Sequence, residues 1–138
     1  MKPVFQTDLT AEHGNCYSAC IASILEIPLE NVPNISDYIW NIKMAEFIAK
    51  YGYNLLILPM EYLKYFSRIE GTYCIVSAKS PRHDNILHAV VGIGRNVEMD
   101  GEYINEVYLV HNPFPNGELL NSPYIDASFF VKIGDLAN

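Results

Sequence analysis

Four short runs in the second half of the chain constrain its fold most: TYCIVSA, ILHAVVGIG, EVYLVH and SFFVKIG. Each is rich in β-branched and aromatic residues, and Gly, Pro, Asn and Asp separate them, which is the pattern of strands. NVEMDGEYIN, between the second and third runs, reads as a hairpin loop around Asp100-Gly101. The first half has a different period. From Cys16 to about Glu26 the positions Cys16, Ala19, Cys20, Ser23, Ile24 and Ile27 fall on one stripe at helical spacing. Gly14-Asn15 precedes this segment as a turn or cap, with Asn15 a good N-cap residue. Pro28 stops it, because the residue before a proline avoids the helical region. Helices first and antiparallel strands after predict an α+β fold.

The remaining elements follow from local signals. Residues Met1–Asn15 read as an irregular arm. Ser36 caps a second helix from Asp37 to about Tyr51, with Asp37 suiting the dipole of its first turn and Gly52 its end. YNLLIL reads as a strand closed by Pro59, and MEYLKYFSRI as a short helix. There is no repeat and no low-complexity linker. A chain of 138 residues, half of them hydrophobic and 18% charged, suits one domain, residues 1–138, around one core.

Charge and composition remove several function classes. The formal net charge is −7 and no basic cluster occurs, which argues against nucleic acid as a partner. The start, MKPVFQTDL, lacks the apolar core of a signal peptide, and no apolar run is long enough for a bilayer. The expected compartment is the cytoplasm, with no membrane partner. Three cysteines cannot all pair within the chain, so thiols are expected. Cys16 and Cys20, one helical turn apart, are poorly placed for a disulfide.

A thiol attacks well only as a thiolate, which a helix N-terminus favours through its free N–H groups and a neighbouring imidazole favours by taking the proton. Cys16 occupies that first turn. Cys20 lies a turn deeper and Cys74 mid-strand, and both read as core. Among the four histidines, His88 opens the alternating run HAVVGIG and shares a face with Val90 and Gly92. His111, at the end of EVYLVH, is the rival base. His83 sits in a polar loop, and His13 precedes the helix. Asn112, stiffened by Pro113, suits the group that orients the base. His111 and Asn112 point to opposite faces, so only one of them serves the site. The backbone N–H of Cys16 and the side chain of Gln6 are candidate oxyanion donors. A zinc site of His13, Cys16 and Cys20, completed by Cys74 or His111, is a competing reading, but the tight cysteine pairs of structural zinc sites are missing.

The order of Gln, Cys at a helix start, His at a strand start and Asn at a later strand's end resembles the papain-like cysteine peptidases. More closely, PVFQT, GNCYSACIASILEIPLENVPNI, HAVVGIG and VHNPFPNG look like the small phage and bacterial proteins related to the double-glycine leader peptidase domain of bacteriocin exporters. The resemblance covers the first third of the chain and two later strands. It implies a papain-like α+β domain whose N-terminal helix packs on a C-terminal antiparallel sheet. It implies Cys16 as nucleophile, His88 as base, Asn112 as orienting residue and Gln6 as oxyanion donor, with no cofactor and no metal. The activity implied is amide hydrolysis of a peptide or protein substrate through a thioester. A protein-glutamine deamidase and an inactive partner-binding protein are alternatives on the same fold. Gln6 precedes Cys16 by ten residues, a longer gap than the family's usual one, and Asn112 stands where the leader peptidases usually have Asp.

Overall fold

The computed structural model describes residues 1–10, 14–34, 39–66, 69–83, 86–115, 117 and 124–134. Helix α1 spans Cys16–Leu25 and α2 spans Trp40–Ala49. Strands β1 (Tyr53–Pro59), β2 (Tyr73–Lys79), β3 (Leu87–Met99), β4 (Glu102–His111) and β5 (Asp126–Lys132) form one antiparallel sheet in the order β1-β5-β2-β3-β4. The chain is therefore α+β, with an N-terminal helix and a five-stranded antiparallel sheet, as the change of hydrophobic period predicts. Among the described residues no helix is long and apolar enough to cross a membrane.

Alternation along the strands divides the core in two. Ile75, Ala89, Val91 and Phe130 face α1 and α2 and pack with Cys20, Ile21, Met44 and Ile48. Cys74, Val76, Val90, Ala127 and Phe129 pack on the other face with Leu63 and Ile69. The α1 side is dense: Ile21, Ile48, Ile75 and Val91 are fully buried. Each such side chain contributes about 1.5–3 kcal/mol, enough to fix α1 over β3.

Several elements differ from expectation for identifiable reasons. Helix α1 stops at Leu25, before Pro28 can act, because Glu26 adopts a left-handed conformation (φ 57°). The N–H groups of Glu26 and Ile27 both return to the Ala22 carbonyl, which closes the helix end. Its apolar stripe is also wider than predicted. Ile21 and Ala22 are buried, whereas Ile24 is only partly covered. The N-terminal arm lies along the helix: Lys2 N–H donates to the Ser23 carbonyl at 3.0 Å and Val4 N–H to Ser23 Oγ at 2.9 Å. The predicted second helix begins only at Trp40; Ser36 and Asp37 lie outside the described residues. MEYLKYFSRI yields a 3-10 turn, Met60–Tyr65. Pro59 is the last residue of β1, opposite Asp126.

The largest difference is the length of β3 and β4. NVEMDGEYIN is mostly strand, and only Asp100-Gly101 turns. Both take positive φ, 53° and 82°, as a two-residue primed turn requires. Beyond Ile93, β3 has no partner in β2; Gly94 still exchanges backbone hydrogen bonds with Gly71 and Thr72, and past it β3 and β4 continue as a two-stranded ribbon.

Candidate active site

Two irregularities set the geometry. The first is a β-bulge. Val91 pairs with His111 and Gly92 with Leu109, which leaves Val110 as an extra residue in β4. Leu109 packs with the core on the face away from α1. Were Val110 a regular strand residue, unbroken alternation would put His111 on that face. The bulge instead puts His111 on the α1 side and turns the next residue, Asn112, toward the face that His88 shares with Val90. His88 and Asn112 are both buried, and His88 Nε2 meets Asn112 Oδ1 at 2.7 Å.

This contact fixes the imidazole tautomer. Phe114 N–H donates to Asn112 Oδ1 at 3.0 Å, and a backbone N–H can only donate, so this atom of Asn112 is the oxygen. An acceptor at 2.7 Å requires the proton of neutral His88 on Nε2. Nδ1 is therefore the unprotonated nitrogen, the atom able to take a proton.

The second irregularity is at the start of α1. Asn15 occupies the N-cap position, but its side chain does not cap the helix. Asn15 Oδ1 accepts from Thr7 N–H at 3.0 Å and Asp8 N–H at 3.1 Å, and Nδ2 donates to Thr7 Oγ1 at 2.9 Å. Asn15 thus braces the arm and leaves the first helical N–H groups to Cys16. The amides of Ala89, Tyr17 and Cys16 favour its thiolate, as does the charge of Arg82. Burial outweighs them and holds the thiol above its ordinary 9.0. Burial likewise lowers His88 below 6.5, with Asn112 opposing and Arg82 reinforcing the shift. The resting pair is a neutral thiol and a neutral imidazole.

Cys16 and His88 line one cleft of about 330 Å³, walled by Tyr17 and Trp40 and floored by Ser77 and Ser128. Tyr17 and Trp40 meet edge to face, 5.0 Å between centroids. His88, on the alternation of Val90, meets this cleft from its rim. Cys20 and Cys74 are fully buried and their pKa values are pushed up by burial, Cys74 to about 12. Cys16 is the partly exposed thiol, and all three cysteines are free.

The other candidates are placed elsewhere. Gln6 is buried but does not line the cleft; its Nε2 donates to the Asp8 carbonyl at 3.0 Å and its Oε1 has no partner. The longer spacing to Cys16 folds the arm back on itself here. Cys16, whose backbone N–H is the other expected donor, does line the cleft. His111 Nε2 donates to the Val4 carbonyl at 2.7 Å, and its ring meets Phe5 edge to face, so it pins the arm. His83 Nε2 reaches the Leu9 carbonyl at 3.4 Å. His13 lies outside the described residues. Among the described residues no group of three or more His, Cys, Asp or Glu side chains is arranged to hold a metal.

One residue was invisible to motif reasoning. Arg82 lies on the Phe114 ring, 3.5 Å from its centroid, and its Nη2 stands 3.4 Å from His88 Nδ1. Its only sequence signal is a basic residue in the loop before the His88 strand, beside an aromatic residue following Asn112. Comparisons with protein-family models, with curated proteins and with solved structures gave no match.

Proposed function

We propose that the chain is a papain-like thiol hydrolase that cleaves an amide bond of a peptide or protein substrate. The observation that carries this reading is the buried His88–Asn112 contact, which leaves His88 Nδ1 unprotonated on a residue that lines one cleft with Cys16 at a helix start. His88 Nδ1 takes the thiol proton as Cys16 Sγ attacks the substrate carbonyl carbon, and the backbone N–H of Cys16 faces the developing oxyanion. The imidazolium then protonates the departing amine, leaving a thioester. Water, deprotonated by the same nitrogen, releases the acid and restores the thiol. The amide of Asn112 keeps the ring oriented but carries no charge, so it stabilises the imidazolium less than a carboxylate would.

An electrophilic peptide probe tests this reading. Wild-type protein should take one adduct at Cys16, located by mass spectrometry of the digest, and His88→Ala should slow labelling by about 100-fold or more. Labelling of Cys20 or Cys74 in preference to Cys16, or hydrolysis by Cys16→Ala at the wild-type rate, would overturn it. A catalytically inactive binding protein on the same scaffold is the second reading. It is favoured by one observation: Arg82 already stands against His88 Nδ1, the atom the reaction needs. Turnover in Arg82→Ala but not in wild type would mark Arg82 as the block and support that reading.

A further inference from the structure

The sheet face beneath α1 changes character at the level of Cys16. Under the helix it is apolar: Ile75, Val91, Phe130 and Leu55. Towards the cleft, the same alternation brings up Ser128 opposite Ile57, then Asp126 opposite Ser77, with Ala89 across the next strand. Ser128 is buried, and Asp126 and Ser77 are half-buried, so polar groups occupy inward positions of central strands. Such positions normally hold apolar side chains, and a buried polar group without a partner costs about 1–3 kcal/mol. Among the described residues no cation and no hydrogen-bond donor meets the Asp126 carboxylate.

A second, independent observation lies across the same cleft. The Tyr17 hydroxyl is buried with no aligned hydrogen-bond partner. Burial pushes Tyr17 up to about 12, with Ser128 opposing the shift and Cys20 and then Asp126 adding to it. With Trp40 at its edge, Tyr17 supplies an aromatic wall facing a carboxylate. An aromatic wall, a carboxylate and spare hydroxyls match a cationic group carried on an apolar stem.

We infer that the cleft between Tyr17–Trp40 and Asp126 is a specificity subsite for a basic side chain, lysine or arginine, of the substrate peptide. This rests on the reading of Cys16 as the nucleophile, and it names the substrate class that reading leaves open. The carboxylate receives the cationic head, the aromatic wall covers the stem, and the bound peptide passes Cys16 at the helix start. The protein's net charge of −7 steers the same class of substrate toward the cleft.

Peptide acyloxymethyl ketones carrying Lys, Arg, norleucine or Glu at each position preceding the electrophile provide the test. At one of these positions Lys or Arg should raise the rate of Cys16 labelling over norleucine by about 10- to 100-fold, the effect of one charge-assisted bond. That ratio should fall to near one in Asp126→Asn and survive in Asp126→Glu. Equal rates for all four residues at every position, or a preference unchanged in Asp126→Asn, would overturn the subsite. A separate arm removes the chemistry. Fluorescein-labelled lysine and norleucine peptides are titrated into Cys16→Ala, with and without Asp126→Asn. If wild-type Cys16 takes no probe yet the lysine peptide binds Cys16→Ala in an Asp126-dependent way, thiol hydrolysis falls and the subsite stands. If the probes label Cys16 but neither arm distinguishes lysine from norleucine, hydrolysis stands and the subsite falls.

Discussion

Arg82 and Asn112 act on opposite sides of one imidazole, and their removal should have opposite signatures. Asn112 Oδ1 accepts both the His88 Nε2 proton and the Phe114 N–H. Asn112→Ala strands one buried and one part-buried donor, so it should cost about 1–3 kcal/mol of stability for each one that water does not reach and slow any Cys16 chemistry by about 10-fold or more. Differential denaturation and probe labelling measure these separately. Gly117→Ala should partly reproduce the loss, because a Cβ there would lie 2.6 Å from Asn112 Nδ2. Arg82 works through charge. It lowers the pKa of both Cys16 and His88. In Arg82→Ala both rise: the pH profile of iodoacetamide alkylation at Cys16 should move to higher pH, and the His88 ring resonances should titrate closer to 6.5. A shift of either in the other direction would exclude Arg82 as a charge acting on the pair. A basic loop residue before the His88 strand was all the sequence offered here, because the influence arises when that arginine stacks on Phe114, an aromatic ring 32 positions later in the chain.

At the scale of elements, the bulge at Val110 decides which of two adjacent residues serves the site. Deleting Val110 removes the bulge but leaves Leu109 opposite Gly92 and His111 opposite Val91, so His111 stays on the α1 side and Asn112 on the face of His88. The expected result is probe labelling and an arm held as in the wild type, since His111 still reaches the Val4 carbonyl. Hydrogen exchange in residues 2–8 should then stay unchanged. Loss of labelling together with a rise in that exchange would exclude the phase of this strand as what places the two residues. The same elements show how far the sequence could be read. The start of α1 at Cys16, the Asp100-Gly101 turn and the strand identity of HAVVGIG depend on neighbours within a few residues, and each was legible. The opposed directions of His111 and Asn112 were legible as well. The bulge that chooses between them was not, since an extra residue is defined only against a partner strand. Asn15 is similar. A capping residue was recognisable there, but whether its amide caps the helix or braces the arm depends on where Thr7 and Asp8 fold. Asp126, Ser77 and Ser128 carried no motif; only the pairing of two strands distant in sequence brings them to one cleft.

For the whole molecule, the thiols make stability depend on pH. Burial raises Cys74 from 9.0 to about 12, Tyr17 from 10.0 to about 12 and Cys20 well above 9.0. The folded state therefore holds protons that the unfolded chain releases. Stability is fully present below the unfolded values and is lost as pH rises from about 9 toward about 12. Under reducing conditions, urea midpoints should fall steadily over that window, and Cys74→Ala should flatten the decline; a midpoint constant up to about pH 11 would contradict the burial of these groups. At the far end of the sheet, the β3–β4 ribbon runs on beyond β2, with Tyr103 74% exposed near its tip and Asn105 tied at its base to the carbonyls of Leu63 and Phe66. His88 opens β3 and Asn112 follows β4, so the catalytic candidates and the Asp100-Gly101 turn stand at opposite ends of the same hairpin. That separation makes the turn a natural handle. A fluorescent reporter or an affinity tag spliced between Asp100 and Gly101 would ride on the hairpin's far end, clear of the cleft, and let the protein be followed or immobilised while the cleft stays open.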